Sequence, residues 1–261
     1  MTVTVVKVGG AIVEDAASLT NFLDTLARLP RPFVLVHGGG SLVTRTAESL
    51  GIPQTMIEGR RVTDARTLDI LVMILGGLTN KSIVAGLAAR GVAALGMTGP
   101  DAGIIRSAKH RDPSRDYGFV GDITDVDGRR MMELMTGGAT PLSLVLAPVT
   151  HDGAGQLLNT NADKVASAVA SALGTVADVD LVYCFDRDGV LMDVADDTSV
   201  IPTLTRAEMD DLYGKGVIVK GMVPKLNAAF AALDAGVRNV RIQSAATLGT
   251  RSGTAIVRTD A

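Results

Sequence analysis

The sequence predicts an α/β protein, a three-layer αβα sandwich around a mostly parallel central sheet. Three observations carry that prediction. Short β-branched runs alternate with apolar stretches at helical spacing along the whole chain. Several of the runs end in glycines that open onto a helical pattern. The composition favours small residues, with 29 glycines among 261 residues and 3% aromatics, which suits close packing of helix on sheet.

The balance of 47% hydrophobic and 20% charged residues fits a soluble globular protein, long enough for one large core or two lobes. The formal net charge of −3 supplies no global basic field, which argues against nucleic acid as a partner. The single cysteine, Cys184, lies in an apolar run, reads as a core thiol and has no partner for an internal disulfide. The amino terminus runs straight into a strand pattern with no signal peptide, and no apolar run reads as long enough to span a membrane. The expectation is a cytoplasmic protein with no membrane partner.

The chain opens on Val3-Thr4-Val5-Val6-Lys7-Val8-Gly9-Gly10. Side chains alternate across a strand, so Lys7 points opposite to Val6 and Val8. Gly9 and Gly10 let the backbone turn tightly and bring N–H groups close to a ligand. A cation beside bare N–H donors at a strand end can hold phosphate, and an ordinary turn fits the same residues. A helical pattern with Leu19, Phe22, Leu23 and Leu26 follows, and Pro30 and Pro32 close it. Phe33–Val36 is a short buried strand leading to a second glycine turn, His37-Gly38-Gly39-Gly40, with Ser41 as helix cap. His37 reads as a strand-end histidine held by a hydrogen bond.

Residues 55–63 read as a ribbon around Gly59, on which Arg60 and Arg61 alternate so that at most one enters a cleft. An arginine there can grip a carboxylate through two parallel bonds. Thr63 or Asp64 caps a long apolar helix with a bend at Gly76-Gly77, suited either to a subunit interface or to the core. Val92–Leu95 is a strand, Tyr117–Gly128 a second small ribbon, and Leu142–Val149 an apolar strand. In Leu158-Asn159-Thr160-Asn161-Ala162-Asp163-Lys164, Asn161 caps a helix and places Asp163 in its first turn. There Asp163 serves either the helix dipole or the orientation of active-site lysines.

A composition shift after Gly174 marks a boundary between residues 1–174 and 175–261, with no flexible linker. Leu181–Phe185 is a strand, and Thr205-Arg206-Ala207-Glu208 is a capping box. Pro224 begins a helix whose first turn carries Lys225. A cation there opposes the helix dipole, and a bound phosphate would remove the penalty. Val237–Ile242 and Thr254–Val257 are the last strands.

Two glycine turns and two lysines suit phosphoryl transfer, which needs positioning and charge stabilisation. A carboxylate acceptor needs no base at neutral pH. Neither a P-loop nor the protein-kinase signature set is present.

Together, Lys7-Val8-Gly9-Gly10, Val36-His37-Gly38-Gly39-Gly40, Gly59-Arg60-Arg61-Val62-Thr63, Asn159-Thr160-Asn161-Ala162-Asp163 and Gly221-Met222-Val223-Pro224-Lys225 resemble the amino acid kinase family, in the family's order and across nearly the whole chain. Within it they are similar to the acetylglutamate kinases. The resemblance implies the amino acid kinase fold, and transfer of the ATP γ-phosphoryl group to the γ-carboxylate of an N-acylated glutamate, with magnesium carried on the ATP. It implies that Lys7 and Lys225 stabilise the transition state and that Asp163 organises them. It gives Gly39, Gly40, Arg61 and Asn159 to the acyl-glutamate, and Gly9 and Gly10 to the phosphates. Asp186, Gly189 and Leu191, with Val217 and Val219, match nucleotide-binding segments. The amino-terminal lobe would bind acyl-glutamate and dimerise, and the carboxyl-terminal lobe would bind ATP.

Tyr117–Asp122 and Leu181–Leu191 resemble a divergent subgroup in which N-succinylglutamate replaces N-acetylglutamate for some members. Lys220 also departs from the family's usual small or acidic residue. Arginine-inhibited members carry an extra amino-terminal helix that links dimers into hexamers; almost nothing precedes the first strand here, so the expectation is a homodimer that arginine does not inhibit. Competing readings are a kinase of aspartate, carbamate, glutamate or UMP, and a non-catalytic sensor on the same fold. A dinucleotide oxidoreductase lacks its Gly-x-Gly-x-x-Gly turn.

Overall fold

The computed structural model describes residues 1–57, 59–219 and 221–258. Lys220 lies outside them, as does Glu58 of the ribbon.

Eight strands form one sheet in the order Thr203–Leu204, Thr254–Ile256, Asn239–Ser244, Asp178–Phe185, Thr2–Val8, Phe33–His37, Ser143–Leu146, Ala94–Met97. All neighbours run parallel except Asn239–Ser244 with Thr254–Ile256. Thr2–Val8 sits in the interior, with Lys7 paired to Tyr183 on one side and Val36 on the other. Its alternation divides the core. Val3 and Val5 pack with Leu181 and Tyr183 under the helices Ala162–Gly174 and Val223–Asp234. Val6 and Val8 pack on the other face with Phe22, Leu23 and Leu26 of Ala16–Leu26 and with Ile83 and Leu87. Lys7 therefore points toward the first pair of helices, as period two requires. Helices on both faces complete the αβα sandwich.

A second sheet stands over the carboxyl ends of the main one, in the order Leu157–Asn159, Val149–His151, Ile105–Lys109, Gly121–Val126. The apolar run 142–149 divides between the two sheets, because Pro148 separates Ser143–Leu146 from Val149–His151. The ribbon expected at 117–128 differs as well. Its partner strand is Ile105–Lys109, and Asp127 starts the helix Gly128–Thr136 by accepting from Arg130 N–H.

The long helix is continuous over Ala65–Ala88, 24 residues. Gly76 and Gly77 fall inside a π segment, Val72–Thr79. By length and composition this helix could cross a bilayer, which corrects the reading that no apolar run is long enough to do so. In the fold its Leu68, Ile70, Leu71, Leu75, Ile83 and Leu87 are buried.

Candidate active site

The predicted site residues gather at the carboxyl ends of the parallel strands, where open α/β sheets place their ligands. Lys7 is the next-to-last residue of the central strand, and its Nζ lies 2.7 Å from Asp163 Oδ1. Asn161 caps the Ala162–Gly174 helix, its Oδ1 accepting from Asp163 N–H at 2.7 Å, which fixes Asp163 in the first turn facing the strand. The contact is an ion pair whose angles fall outside hydrogen-bond geometry, so Asp163 Oδ1 is held by charge alone. Behind it the buried Tyr183 hydroxyl donates to the Asp163 carbonyl at 3.2 Å. Burial, reinforced by the Asp163 charge, raises the Tyr183 pKa well above its ordinary value, so it remains a phenol.

Lys225 lies in the first turn of Val223–Asp234, with Pro224 just ahead and no side-chain cap on the helix. Its Nζ stands 4.5 Å from the centroid of the Phe185 ring, and Lys7 Nζ stands 6.0 Å from the same centroid. The two ammonium groups, far apart in sequence, thus converge on one aromatic side chain at the end of Asp178–Phe185. Phe185 is the residue that the sequence did not single out, because nothing local marks a ring as shared between two remote lysines.

The glycine turns meet each other. A Cβ on Gly10 would lie 3.2 Å from Gly39 N, and one on Gly38 would lie 3.2 Å from Gly10 N. Gly39, at φ +138°, is the N-cap of Gly40–Ser49, which replaces Ser41 in that role. Only glycine adopts that conformation readily, so the helix starts two residues early and without a side-chain cap. His37 is fully buried; its Nδ1 donates to Gly38 O at 2.9 Å and its Nε2 accepts from Asn80 at 3.3 Å. Burial pulls its pKa down to about 4, so it is a neutral strut.

A cavity of about 540 Å³ opens beside these turns. Gly39, Gly40, Arg61 and Asn159 all line it, and Pro224 reaches it from the far half of the chain. The Arg61 guanidinium donates to Gly40 O at 2.7 Å, to Thr44 Oγ1 at 2.8 Å and to Gln54 Oε1. Burial pulls its pKa down, with Glu48 opposing. Arg60 lines the cavity too, contrary to the expected alternation. The strand Arg60–Arg61 is only two residues long, and the Arg60 side chain folds across to His110 at 3.1 Å. His110 holds Asp122, which Lys164 also approaches at 3.2 Å. Burial pushes the Asp122 pKa up, but the bonds from His110 and Lys164 outweigh it and hold it below the usual range.

Of the segments matched to the nucleotide, Asp186 and Val219 are exposed. Gly189 and Leu191 are buried; a Cβ on Gly189 would meet Thr254 Oγ1 at 2.8 Å. Val217 is half-buried ahead of the Lys225 helix. None of these five lines the 540 Å³ cavity. A second cavity, of about 660 Å³, lies at the amino ends of the strands around Thr4, Asp180 and Asn239, away from this chemistry. Cys184 is buried with its pKa pushed up to about 12, hence unreactive. Among the described residues no group of three metal-ligating side chains occurs.

The sequence pattern of the amino acid kinase family matches residues 2–244. An acetylglutamate kinase of Bacteroides thetaiotaomicron is 51% identical over 253 residues, covering 97% of each chain. Another, from Chloroflexus aurantiacus, is 40% identical over 254 residues and 96% of each chain. A crystal structure from Streptococcus mutans superposes with a TM-score of 0.80 at 28% identity, covering 98% of each chain. A carbamate kinase from Giardia lamblia bound to AMP-PNP, at 15% identity and a TM-score of 0.66, shares the fold over 98% of each chain. Paired lysines, abutting glycine turns and near-complete alignment with these relatives have one reading: the chain belongs to the amino acid kinase family.

Proposed function

We propose that this chain is a kinase that transfers the γ-phosphoryl group of MgATP to the γ-carboxylate of N-acetyl-L-glutamate, in arginine biosynthesis. The observation that carries the reading is the convergence of Lys7, held by Asp163, and Lys225 on Phe185 beside the Arg61 cavity. A carboxylate oxygen attacks the γ-phosphorus, the bond to the β–γ bridging oxygen breaks, and ADP departs. The acceptor is already ionised, so no proton has to move. Negative charge develops on the bridging oxygen as it leaves with ADP and is spread over the equatorial oxygens, where Lys7 and Lys225 neutralise it. Asp163 fixes Lys7 and serves as no base. Gly9 and Gly10 offer N–H groups to the phosphates. Gly39, Gly40, Asn159 and Arg61 orient the acyl-glutamate, with Arg61 at its α-carboxylate. Asp163, the carboxylate beside Lys7, is engaged with it, so magnesium enters on the triphosphate as part of the substrate.

Residues 175–261, with Asp186, Gly189, Leu191, Val217 and Val219, make the ATP half, and residues 1–174 the acyl-glutamate half. The latter also forms a homodimer: Met73 and Leu78 on the long helix and Leu95 on the sheet's edge strand are exposed. We place the enzyme in the cytoplasm, which suits a free buried thiol.

The test is ADP release with N-acetyl-L-glutamate against N-succinyl-L-glutamate. Arg60 and Lys164, which line the cavity, favour the second acyl group as an alternative, since its extra carboxylate needs cations. Turnover with neither compound, together with ATP binding, would make the chain a sensor.

A further inference from the structure

Glu14 ends the five-residue helix Gly10–Glu14 that follows the first glycine turn. Its carboxylate reaches across to the helix that follows the second. Oε1 accepts from Ser41 Oγ at 2.8 Å and from Leu42 N–H at 3.0 Å, and Oε2 contacts Arg45 Nη1 at 3.0 Å. The Glu14 side chain is 9% exposed, whereas that of Arg45 is 59% exposed. Oε1 also lies 3.1 Å from where a Gly10 Cβ would stand, next to Gly39.

The local sequence explains why a cap comes from so far away. A helix start normally takes its cap from a Ser, Thr, Asp or Asn at the N-cap position. Here that position is Gly39, at φ +138°, where a Cβ would meet Leu75 Cδ2 at 2.8 Å. A side chain is excluded there, so the cap must arrive from another element. Glu14 supplies it, and it comes from the turn that must stay in register with this one.

We propose that Glu14 is a positioning residue: its carboxylate fixes the spacing between the Gly9–Gly10 and Gly38–Gly40 turns, so that the phosphates held at the first stay aligned with the acyl-glutamate held at the second. The proposal rests on the kinase reading above. It also narrows the ligand's share of the Gly40–Ser49 helix start, because the Leu42 N–H is already taken.

The experiment compares Glu14→Ala, Glu14→Gln and Arg45→Ala in the full chain. ADP release is measured against ATP and N-acetyl-L-glutamate, with amide hydrogen exchange over residues 38–45. Glu14→Ala is expected to lower kcat about 10- to 100-fold, the loss that follows roughly 1 Å of misplacement. The KM for N-acetyl-L-glutamate should stay within about twofold. Glu14→Gln keeps an acceptor for Ser41 and Leu42 and should recover most of the rate, and Arg45→Ala should match the wild type. Exchange at residues 38–42 should speed up in the alanine variant alone. Wild-type kcat in Glu14→Ala overturns the proposal, as does a glutamine variant no better than alanine. If the wild type itself releases no ADP, the kinase reading has failed separately; unchanged exchange at residues 38–42 then overturns the clamp.

Discussion

Lys7 Nζ lies 2.7 Å from Asp163 Oδ1, with the two side chains 7% and 12% exposed, and this contact ties the central strand to the Ala162–Gly174 helix. Removing one partner leaves a buried charge unpaired, at a cost of about 3–5 kcal/mol. Asp163→Ala should therefore shift the urea midpoint strongly at neutral pH. The double variant Lys7→Met, Asp163→Leu should be more stable than either single change at these sites. Additive losses would show that the pair is not coupled in the folded state.

Lys225 predicts opposite signs for stability and rate. Lys225→Ala removes a cation from a helix N-terminus, so the free protein should be as stable as before or more stable by about 0.3–1 kcal/mol. The kcat should fall about 10²–10³-fold, as for loss of one group that stabilises transition-state charge. A thermal melt and a steady-state assay on one preparation check both. Wild-type kcat would remove Lys225 from the mechanism.

Two glycines should respond differently to alanine. Gly39→Ala meets both a left-handed backbone and the Leu75 methyl at 2.8 Å, and should cost about 1–3 kcal/mol. Gly9, at φ −76° with no atom within 4 Å of its would-be Cβ, should accept alanine with a stability change within about 0.5 kcal/mol. Any loss of kcat in Gly9→Ala then reports a methyl in the path of the phosphates. Equal denaturation midpoints with full activity would reduce Gly9 to a turn former.

His37 sets an acid limit. Its pKa is about 4 when folded, because burial disfavours the charged ring, and about 6.5 when unfolded. Between these values the unfolded chain binds more protons, so stability is fully present above pH 6.5 and falls as pH drops toward 4. The loss amounts to about 3 kcal/mol. His37→Gln should flatten this part of the curve of denaturation free energy against pH, whatever its absolute stability; an unchanged slope would assign the acid loss to other groups.

Strand facing was legible in the sequence because period two is a local property: Lys7 had to oppose Val6 and Val8, and it does. The cap at Asn161 and the capping box at Thr205 were legible for the same reason. Asp127, inside the ribbon expected at 117–128, misled because a turn and a helix start draw on the same residue types. Ser41 misled because a good cap residue stood next to a glycine whose backbone had already started the helix. The choice between the two readings of Asp163 turned on Lys7, which lies 156 positions away and is brought there only by the sheet. Glu14 and Phe185 stayed hidden for that reason: each acts between elements, where sequence neighbours carry no signal.

The two-sided core beneath Lys7 has a genetic corollary. Val3 and Val5 belong to one hydrophobic cluster and Val6 and Val8 to the other, so the strand can exchange one aliphatic residue for another at modest loss. Length is another matter. Deleting a single codon between residues 3 and 6 would leave composition almost untouched. If pairing with Asp178–Phe185 kept its place at the amino end, the amine would turn toward Ile83 and Leu87 and away from Asp163. Screens of this segment should recover many missense survivors and no in-frame deletions.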